Sequence, residues 1–467
     1  MARVERDVEP YIYPKRFSEL PFNMEVQYVG DMPLVIGSWG SFETPKQYVD
    51  YYAIKDETIL SAIDGSGFEG RWGNHRDYDV SKPEHDLSMA YIIVASTVET
   101  LAARKNKMKK PDEMDSTNLV VTSATVSLES IYYAKELLEQ EHGVNLESVT
   151  FVNQACNGTL TAINNTLLDK RFAGKMTTVV AIEQISGSAI DYSHPWADQT
   201  AFFFGNGVFS TTFIPGVDLE NAYPDQAVTR VRADPDDTIM VNNRNRDAHD
   251  REHTVCLPEG LSLRVNSSNV LLTPPPIPDH YRLAEDGGVT QGRFSTYIWN
   301  GIEVIDMNLP QHDEGVMMVP QATFKKFNEI VTRLIEEKLE FYKNLPIEEQ
   351  RKISGIIIAH LASKPVIDSA NNAFMYEQVP FLIPWVLGEA KMSNMSGVTP
   401  GVAMYWLARL GLIREDGIHM TMAYGAAEVY ESMLWHFLAS SKVQRRLGKQ
   451  QRMRGPSDRK GRTPVLF

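Results

Sequence analysis

Cysteine is nearly absent from this chain: its 467 residues include two, Cys156 and Cys256. That excludes a disulfide framework and leaves each thiol to be judged for its chemistry. An excess of positive charge is missing too. With 60 acidic residues against 46 basic ones the formal charge is −14. Phosphate binding normally shows as a basic surplus, so no nucleic-acid partner is expected. No uninterrupted apolar stretch reaches the roughly 18 residues needed to cross a bilayer. The charged start Met1-Ala2-Arg3-Val4-Glu5-Arg6-Asp7 has no apolar signal region behind it. The chain reads as cytoplasmic, without a transmembrane segment.

What is present suffices for a large core, since 43% of residues are hydrophobic and 23% charged. In the first half, Asn118–Thr122, Val149–Val152 and Thr177–Ile182 are short continuous apolar runs of the kind buried in a sheet covered on both faces. Helical segments separate them: Ser127 to Glu141, and Thr159 to Asp169 with Leu160, Ile163 and Leu167 on one stripe. This order predicts an α/β fold with a largely parallel sheet and helices on both sides.

From about Val217 to Thr296, runs such as Asp234-Pro235-Asp236-Asp237 and Thr273-Pro274-Pro275-Pro276 break any long periodicity, which reads as an insertion serving as cap, entrance wall or interface element. An amphipathic helix follows, with Phe324, Phe327, Val331, Leu334, Ile335 and Leu339 on its apolar face. A strand, Ser354–Ala359, ends at His360, and a helix with proline in its first turn begins after Ser363-Lys364-Pro365. The tail from Ser440 carries nine basic residues against the single acid Asp458, and is either a solvated end or a docking element for an acidic carrier protein or an anionic membrane surface.

Chemistry concentrates at three places. In Phe151–Leu160 an apolar strand runs into Cys156, and an amphipathic helix follows almost at once, which puts the thiol at a helix N-terminus. Unpaired N–H groups and the positive end of the dipole favour thiolate there, although a lone cysteine is as readily a small buried hydrophobe. Gly158 leaves room beside it for a substrate or a closely packed backbone. His360 stands at the carboxyl end of its strand, able to donate a hydrogen bond or shuttle a proton, or merely to cap the next turn. Asn394, in Lys391–Gly397, either caps the following helix or aims its amide at a developing oxyanion. His249, His253 and Cys256 have a spacing that three metal ligands on one helical face could use, but the segment is equally a charged loop, and no metal is assigned. His194 reads as a surface-loop residue with a channel-lining role as the alternative.

Cys156, His360 and Asn394, in that order, resemble the Cys-His-Asn triad of the thiolase superfamily, and within it the enzymes like ketoacyl-acyl carrier protein synthase III. Thr200–Gly207 looks like the family's strand ending in a Gly-Asp-Gly turn, and Met422–Ala427 resembles its glycine-rich loop beside the nucleophile. The similarity runs over roughly Val29 to Phe213 and Ile302 to Phe437. It implies a thiolase-like five-layered αβαβα fold of two similar halves with an irregular insertion in between. Residues 1–216 would be the half carrying Cys156, 217–300 the insertion, 301–439 the half carrying His360 and Asn394, and 440–467 a basic tail. It also implies a homodimer paired through strands of the N-terminal halves.

The implied mechanism has two stages. Cys156 attacks an acyl thioester, with the backbone N–H groups of Cys156 and Ala426 as oxyanion hole. His360 and Asn394 then stabilise the enolate that decarboxylation or deprotonation leaves on a malonyl-type or β-ketoacyl thioester, and this carbanion attacks the acyl-cysteine, as in specialised fatty-acid or polyketide biosynthesis. Phe204, Gly205, Ser363 and Gly425 fall at substrate-binding positions. No cofactor is implied beyond acyl-CoA or acyl carrier protein thioesters as substrates. Two departures stand out: Leu361-Ala362-Ser363 lies where the family has Gln-Ala-Asn, an amide of which would contact pantetheine, and Glu69, in Gly67–Trp72, where an arginine would meet coenzyme A phosphates; a carrier-protein donor, or a shifted binding mode built by the insertion, fits them better than coenzyme A. The competing readings are an acyltransferase acting on a hydroxyl or amine, a hydroxymethylglutaryl-CoA-synthase-like enzyme, whose catalytic glutamate the sequence does not place, and a non-catalytic scaffold subunit.

Overall fold

The computed structural model describes residues 23–39, 48–55, 57, 60, 63, 65–73, 83–107, 116–154, 156–169, 171–185, 203–215, 229–233, 239–243, 255–256, 262–263, 282–283, 289–290, 294–306, 331, 335–336, 339–340, 343, 346–361, 363–415, 417–425 and 429–437. The described residues open with a hairpin, β1 (Asn23–Val29) and β2 (Met32–Ser38), whose two-residue turn uses Gly30 at φ +61°. A small ladder, β3 (Tyr48–Asp50) and β4 (Gly70–Trp72), precedes the long helix α1 (Pro83–Lys107). Then come β5 (Ser116–Ser123), α2 (Leu128–Gln140), β6 (Asn145–Asn153), α3 (Gly158–Leu168), β7 (Thr177–Gln184) and β8 (Asn206–Phe213). Helix α2 begins where it does because Ser127 Oγ accepts the Ser130 N–H at 3.1 Å, satisfying one of the donors a first turn leaves open.

Short strands β9 (Thr229–Ala233), β10 (Ile239–Asn243), β11 (Val255–Cys256), β12 (Ser262–Leu263), β13 (Arg282–Leu283) and β14 (Val289–Thr290) lead to β15 (Phe294–Trp299) and β16 (Ile302–Asp306). The chain ends, as described, with α4 (Ile347–Gln350), β17 (Ile353–His360), α5 (Lys364–Tyr376), α6 (Leu387–Met392), α7 (Thr399–Arg409), β18 (Ile418–Gly425) and β19 (Val429–His436).

Two large sheets result. The first runs β1-β2-β8-β7-β5-β6-β16-β15-β13, with β14 also on β15, and the second runs β11-β12-β10-β9-β19-β18-β17. The first is mixed rather than largely parallel. Only β7, β5, β6 and β16 run together, because β8 returns antiparallel along β7 and the β1–β2 hairpin adds to β8 antiparallel. β9, from within the insertion, pairs with β19 of the second sheet, and β16, from the C-terminal segment, pairs with β6 of the first. The irregular region thus extends both sheets, and β6 is flanked on both edges by strands of its own chain.

Alternation along the strands sorts the core into five layers. One face of the first sheet, with Leu119, Val121, Phe151, Val180 and Ile182, packs on Met89, Ile92 and Ile93 of α1 and Ile131, Ala134 and Leu138 of α2. Its other face, with Val120, Val152, Val179, Ala181 and Phe209, packs on Leu160 and Ile163 of α3 and Val402 and Leu407 of α7. Ile358 and Ala423 of the second sheet close that central layer from the opposite side. Ile357, Ala359 and Met420 face outward onto Val366, Ile367, Ala370 and Phe374 of α5 and onto the stripe Val331, Ile335 and Leu339. The αβαβα order expected from the sequence is therefore present.

The 22-residue stretch Asp86–Lys107 of α1, at mean hydropathy 1.3, is long and apolar enough to cross a bilayer, but 72% of its apolar window is buried inside the fold. Its wholly buried Arg104 donates to the backbone oxygens of Asp31 (3.0 Å) and Thr212 (3.3 Å), which anchors the end of the helix to the sheet.

Candidate active site

Phe151 and Val152 carry β6 into the core, and the strand hands over to α3 through Gln154, Cys156 and Asn157. The first helical bond, from Thr161 N–H to Asn157 O at 2.9 Å, places Cys156 just ahead of the first turn, as expected. Asn157 makes no side-chain cap bond, so the positive end of α3 is not shielded by a capping oxygen there. Cys156 is buried, 6% exposed. The space beside Gly158 is filled by protein rather than open to substrate: a Cβ there would meet the Thr122 side chain (Oγ1) at 2.8 Å and the backbone of Gly397 (Cα) at 3.4 Å.

The backbone that lies against Gly158 belongs to the loop Ser393–Val398. Asn394 is buried in it and forms a parallel bridge with Phe204: its N–H donates to Phe203 O and its C=O accepts Gly205 N–H, both at 3.0 Å. Asn394 does not cap α7. Its Oδ1 accepts the N–H of Ser396 at 2.8 Å, which orients the carboxamide with the NH2 end turned away from that turn. Ser396 in turn directs its hydroxyl at Cys156 Sγ, 3.6 Å away. The loop therefore links the asparagine to the cysteine through one intervening serine, and two of its residues, Ser393 (φ +59°) and Ser396 (φ +49°), adopt left-handed backbone that non-glycine residues rarely take.

His360 ends β17 opposite Ala423 of β18. Two residues on from Ile358, its side chain shares the strand face that looks into the central layer containing α3 and the Asn394 loop. It is 1% exposed, and Nε2 has no hydrogen-bond partner among the described residues. Burial pushes its pKa down to about 3, so the imidazole is neutral at ordinary pH. A neutral, buried ring nitrogen without a partner suits hydrogen bonding to a substrate oxygen better than holding a positive charge.

Phe204 and Gly205 serve here as the seat of Asn394. A Cβ on Gly205 would lie 2.3 Å from Met392 O, and Phe204 O accepts a bond of 3.3 Å from the guanidinium of Arg71, which is wholly buried. Ser363 is the N-cap residue of α5 without a side-chain cap bond, and its N–H donates to Leu361 O at 2.8 Å. Gly425 ends β18, opposite Val429. Ala426, His194, His249, His253 and the tail from Ser440 lie outside the described residues. Cys256 ends a two-residue strand rather than continuing a helical face with the two histidines. Among the described residues no group of three His, Cys, Asp or Glu side chains could hold a metal ion.

The sequence reading missed several residues that shape this site. Glu183, wholly buried at the end of β7, accepts from Thr125 Oγ1 (2.7 Å), Ala124 N–H (3.1 Å), Ser123 Oγ (3.3 Å) and the N–H of Gly397. Burial outweighs these bonds and raises its pKa to about 7. A lone acid closing the apolar run Thr177–Ile182 was the available signal. Tyr51 and Ser393 share a hydrogen bond of 3.0 Å, and Ser393 Oγ donates to Gly70 O at 2.7 Å, so the β3–β4 segment braces the Asn394 loop from behind. Glu69, singled out for its charge, is tied there by its peptide: its N–H donates to Ala390 O at 2.7 Å and its C=O accepts Tyr51 N–H at 3.0 Å.

No family model and no curated protein matches the chain. Among solved structures it is similar to the 3-oxoacyl-[acyl-carrier-protein] synthase III of Aquifex aeolicus VF5, with 13% identity over 88% of this chain and 100% of that one and a TM-score of 0.45. The beta-ketoacyl-[acyl carrier protein] synthase III of Thermus thermophilus matches at 15% identity, over 86% and 98%, with a TM-score of 0.47. The priming beta-ketosynthase of the R1128 polyketide biosynthetic pathway matches at 16%, over 86% and 95%, also at 0.47.

Proposed function

We propose that this chain is a ketosynthase III-like condensing enzyme that forms a carbon–carbon bond between two thioesters by way of an acyl-Cys156 intermediate. The observation that carries the reading is the link from Cys156, at the uncapped start of α3, through Ser396 to the oriented carboxamide of Asn394, with neutral His360 facing the same layer.

In the first stage the Cys156 thiolate attacks the acyl carbonyl, the S–acyl bond to Cys156 forms, and the donor's thiolate leaves and takes up a proton. The N–H of Cys156 and that of Ala426 would hold the oxyanion. In the second stage a malonyl-type thioester loses carbon dioxide. The electron pair of the broken C–C bond passes into an enolate whose oxygen accepts hydrogen bonds from His360 and Asn394. The enolate carbon then attacks the acyl-cysteine, and Cys156 departs as thiolate. Both donors are neutral, so the enolate is stabilised without a charge that would bind the ground-state carboxylate as well.

An acyl carrier protein is the favoured donor and coenzyme A the alternative, since the resemblance puts Glu69 where an arginine would meet coenzyme A phosphates. Phe204, Gly205, Ser363 and Gly425 would border the thioester, and no metal or redox cofactor enters the scheme.

The test is intact-mass spectrometry of the full chain after incubation with a panel of acyl-CoA and acyl-carrier thioesters. The expected result is a single acyl mass gain in the wild type and none in Cys156→Ala. An equal gain in Cys156→Ala overturns the reading. Product analysis with malonyl-type donors, and separately with amine and alcohol acceptors, shows condensation if the proposal holds and acyl transfer to the heteroatom if the acyltransferase reading is correct.

A further inference from the structure

The thiol has a polar neighbour that the two-stage scheme leaves idle. Ser396, 2% exposed, donates its hydroxyl toward Cys156 Sγ at 3.6 Å, and sulfur's size places its hydrogen bonds at such lengths. Separate anchors aim that hydroxyl. The N–H of Ser396 is held by Asn394 Oδ1 at 2.8 Å. The next peptide is held at both ends: Gly397 N–H donates to buried Glu183, and Gly397 O accepts the hydroxyl of Thr159 in the first turn of α3. Ser396 is kept at φ +49°, an unfavourable backbone for a residue with a Cβ, which persists where the surroundings over-determine it.

We propose that Ser396 is a further catalytic residue, whose hydroxyl donates a hydrogen bond to the Cys156 sulfur and stabilises its thiolate. The inference rests on the reading of Cys156 as the nucleophile. A donor to the charged form of a group favours ionisation, and a charge-assisted bond is about twice as strong as a neutral one. The serine keeps its proton throughout. When the sulfur becomes acylated it loses its charge and the bond weakens; when the condensation releases the thiolate the bond reforms, so Ser396 assists the departure of Cys156 as well as its attack. Asn394, Glu183 and Thr159 position it.

The test measures the rate of iodoacetamide alkylation of the full chain from pH 5 to 10, in a Cys256→Ala background so that the mass gain reports Cys156. Of the titratable groups on the elements packed around the sulfur, Glu183 on β7 and His360 on β17 are present in wild type and variant alike, so a difference between the two reports the hydroxyl. In Ser396→Ala the midpoint of the profile should move to higher pH, making alkylation at pH 7 about tenfold slower, with no loss at the high-pH plateau. A merely loosened loop would change the plateau and leave the midpoint in place. Ser396→Gly makes the same deletion on a backbone suited to a positive φ, and serves if the alanine variant does not fold. A midpoint equal to wild type in the folded variant overturns the proposal. No thioester is used, so a shifted midpoint in a protein that takes up no acyl group would retire the condensing reading, and with it the catalytic role of Ser396, and leave only its hydrogen bond to the thiolate standing.

Discussion

Tyr51 and Ser393, separated by 342 positions, are joined by a hydrogen bond of 3.0 Å. Ser393 immediately precedes Asn394, and its strained backbone sets the direction in which that loop leaves α6. The tyrosine is buried, and burial is the chief reason its pKa is pushed up to about 12, so it acts as a hydroxyl at every working pH.

Tyr51→Phe removes one arm of the brace and keeps the other, from Ser393 to Gly70 O. The loss should be about 1 kcal/mol of stability. Because the brace bears on Asn394 directly and reaches the thiol only through Ser396, condensation should slow about fivefold while acylation of Cys156 slows by less. Single-turnover acylation and steady-state condensation, measured side by side, separate the two.

Gly205→Ala places a methyl 2.3 Å from Met392 O, a backbone atom with nowhere to retreat, and disturbs the bond from Gly205 N–H to Asn394 O. The expected cost is about 2–3 kcal/mol, read as a lowered urea midpoint, with condensation lost before acylation.

His360 is already neutral at pH 5, since burial holds its pKa near 3. Decarboxylation of a malonyl-type thioester by Cys156→Ala, which isolates the second stage from the thiol, should therefore show no midpoint near 6.5 between pH 5 and 8. The same assay on Cys156→Ala, His360→Ala should be at least about 100-fold slower. A midpoint near 6.5 would show that the imidazole works in its charged form.

Buried ionisable groups also set how stability follows pH. Burial raises Glu389 from 4.5 to about 8. The folded state then binds this proton more tightly than the unfolded chain, and its contribution is complete below 4.5 and lost as pH rises toward 8. His360 and His419 run the other way. Burial lowers them from 6.5 to about 3 and about 4, so the unfolded chain takes up protons first and stability falls as pH drops below 6.5. Between pH 6.5 and 8 the urea midpoint of the wild type should fall, and Glu389→Gln, which has no proton to release, should fall less. Below pH 4.5 the two should decline together.

The parts of this architecture that the sequence made legible are those specified locally. An apolar run into Cys156 and a stripe of Leu160, Ile163 and Leu167 after it are sufficient to place a strand, a turn and a helix, and Ser127 marks its helix start by its own hydroxyl. His360 was legible for the same reason, as the polar end of an isoleucine-rich strand. Strand direction was not, because β8 against β7 and β16 against β6 are chosen by how distant segments return. Ser396 and Glu183 escaped notice because their significance lies in partners on other elements: a serine two places after Asn394 looks like loop polarity until the sulfur is found beside it.

The joining of β16 to β6, of Thr159 to Gly397 and of Ser396 to Cys156 all tie early residues to late ones. A ribosome delivers such a chain from its N-terminus, so the nucleophile emerges well before the serine and asparagine that will roof it. Through most of synthesis the nascent polypeptide carries its thiol without that roof, which is delivered only when translation has passed Gly397.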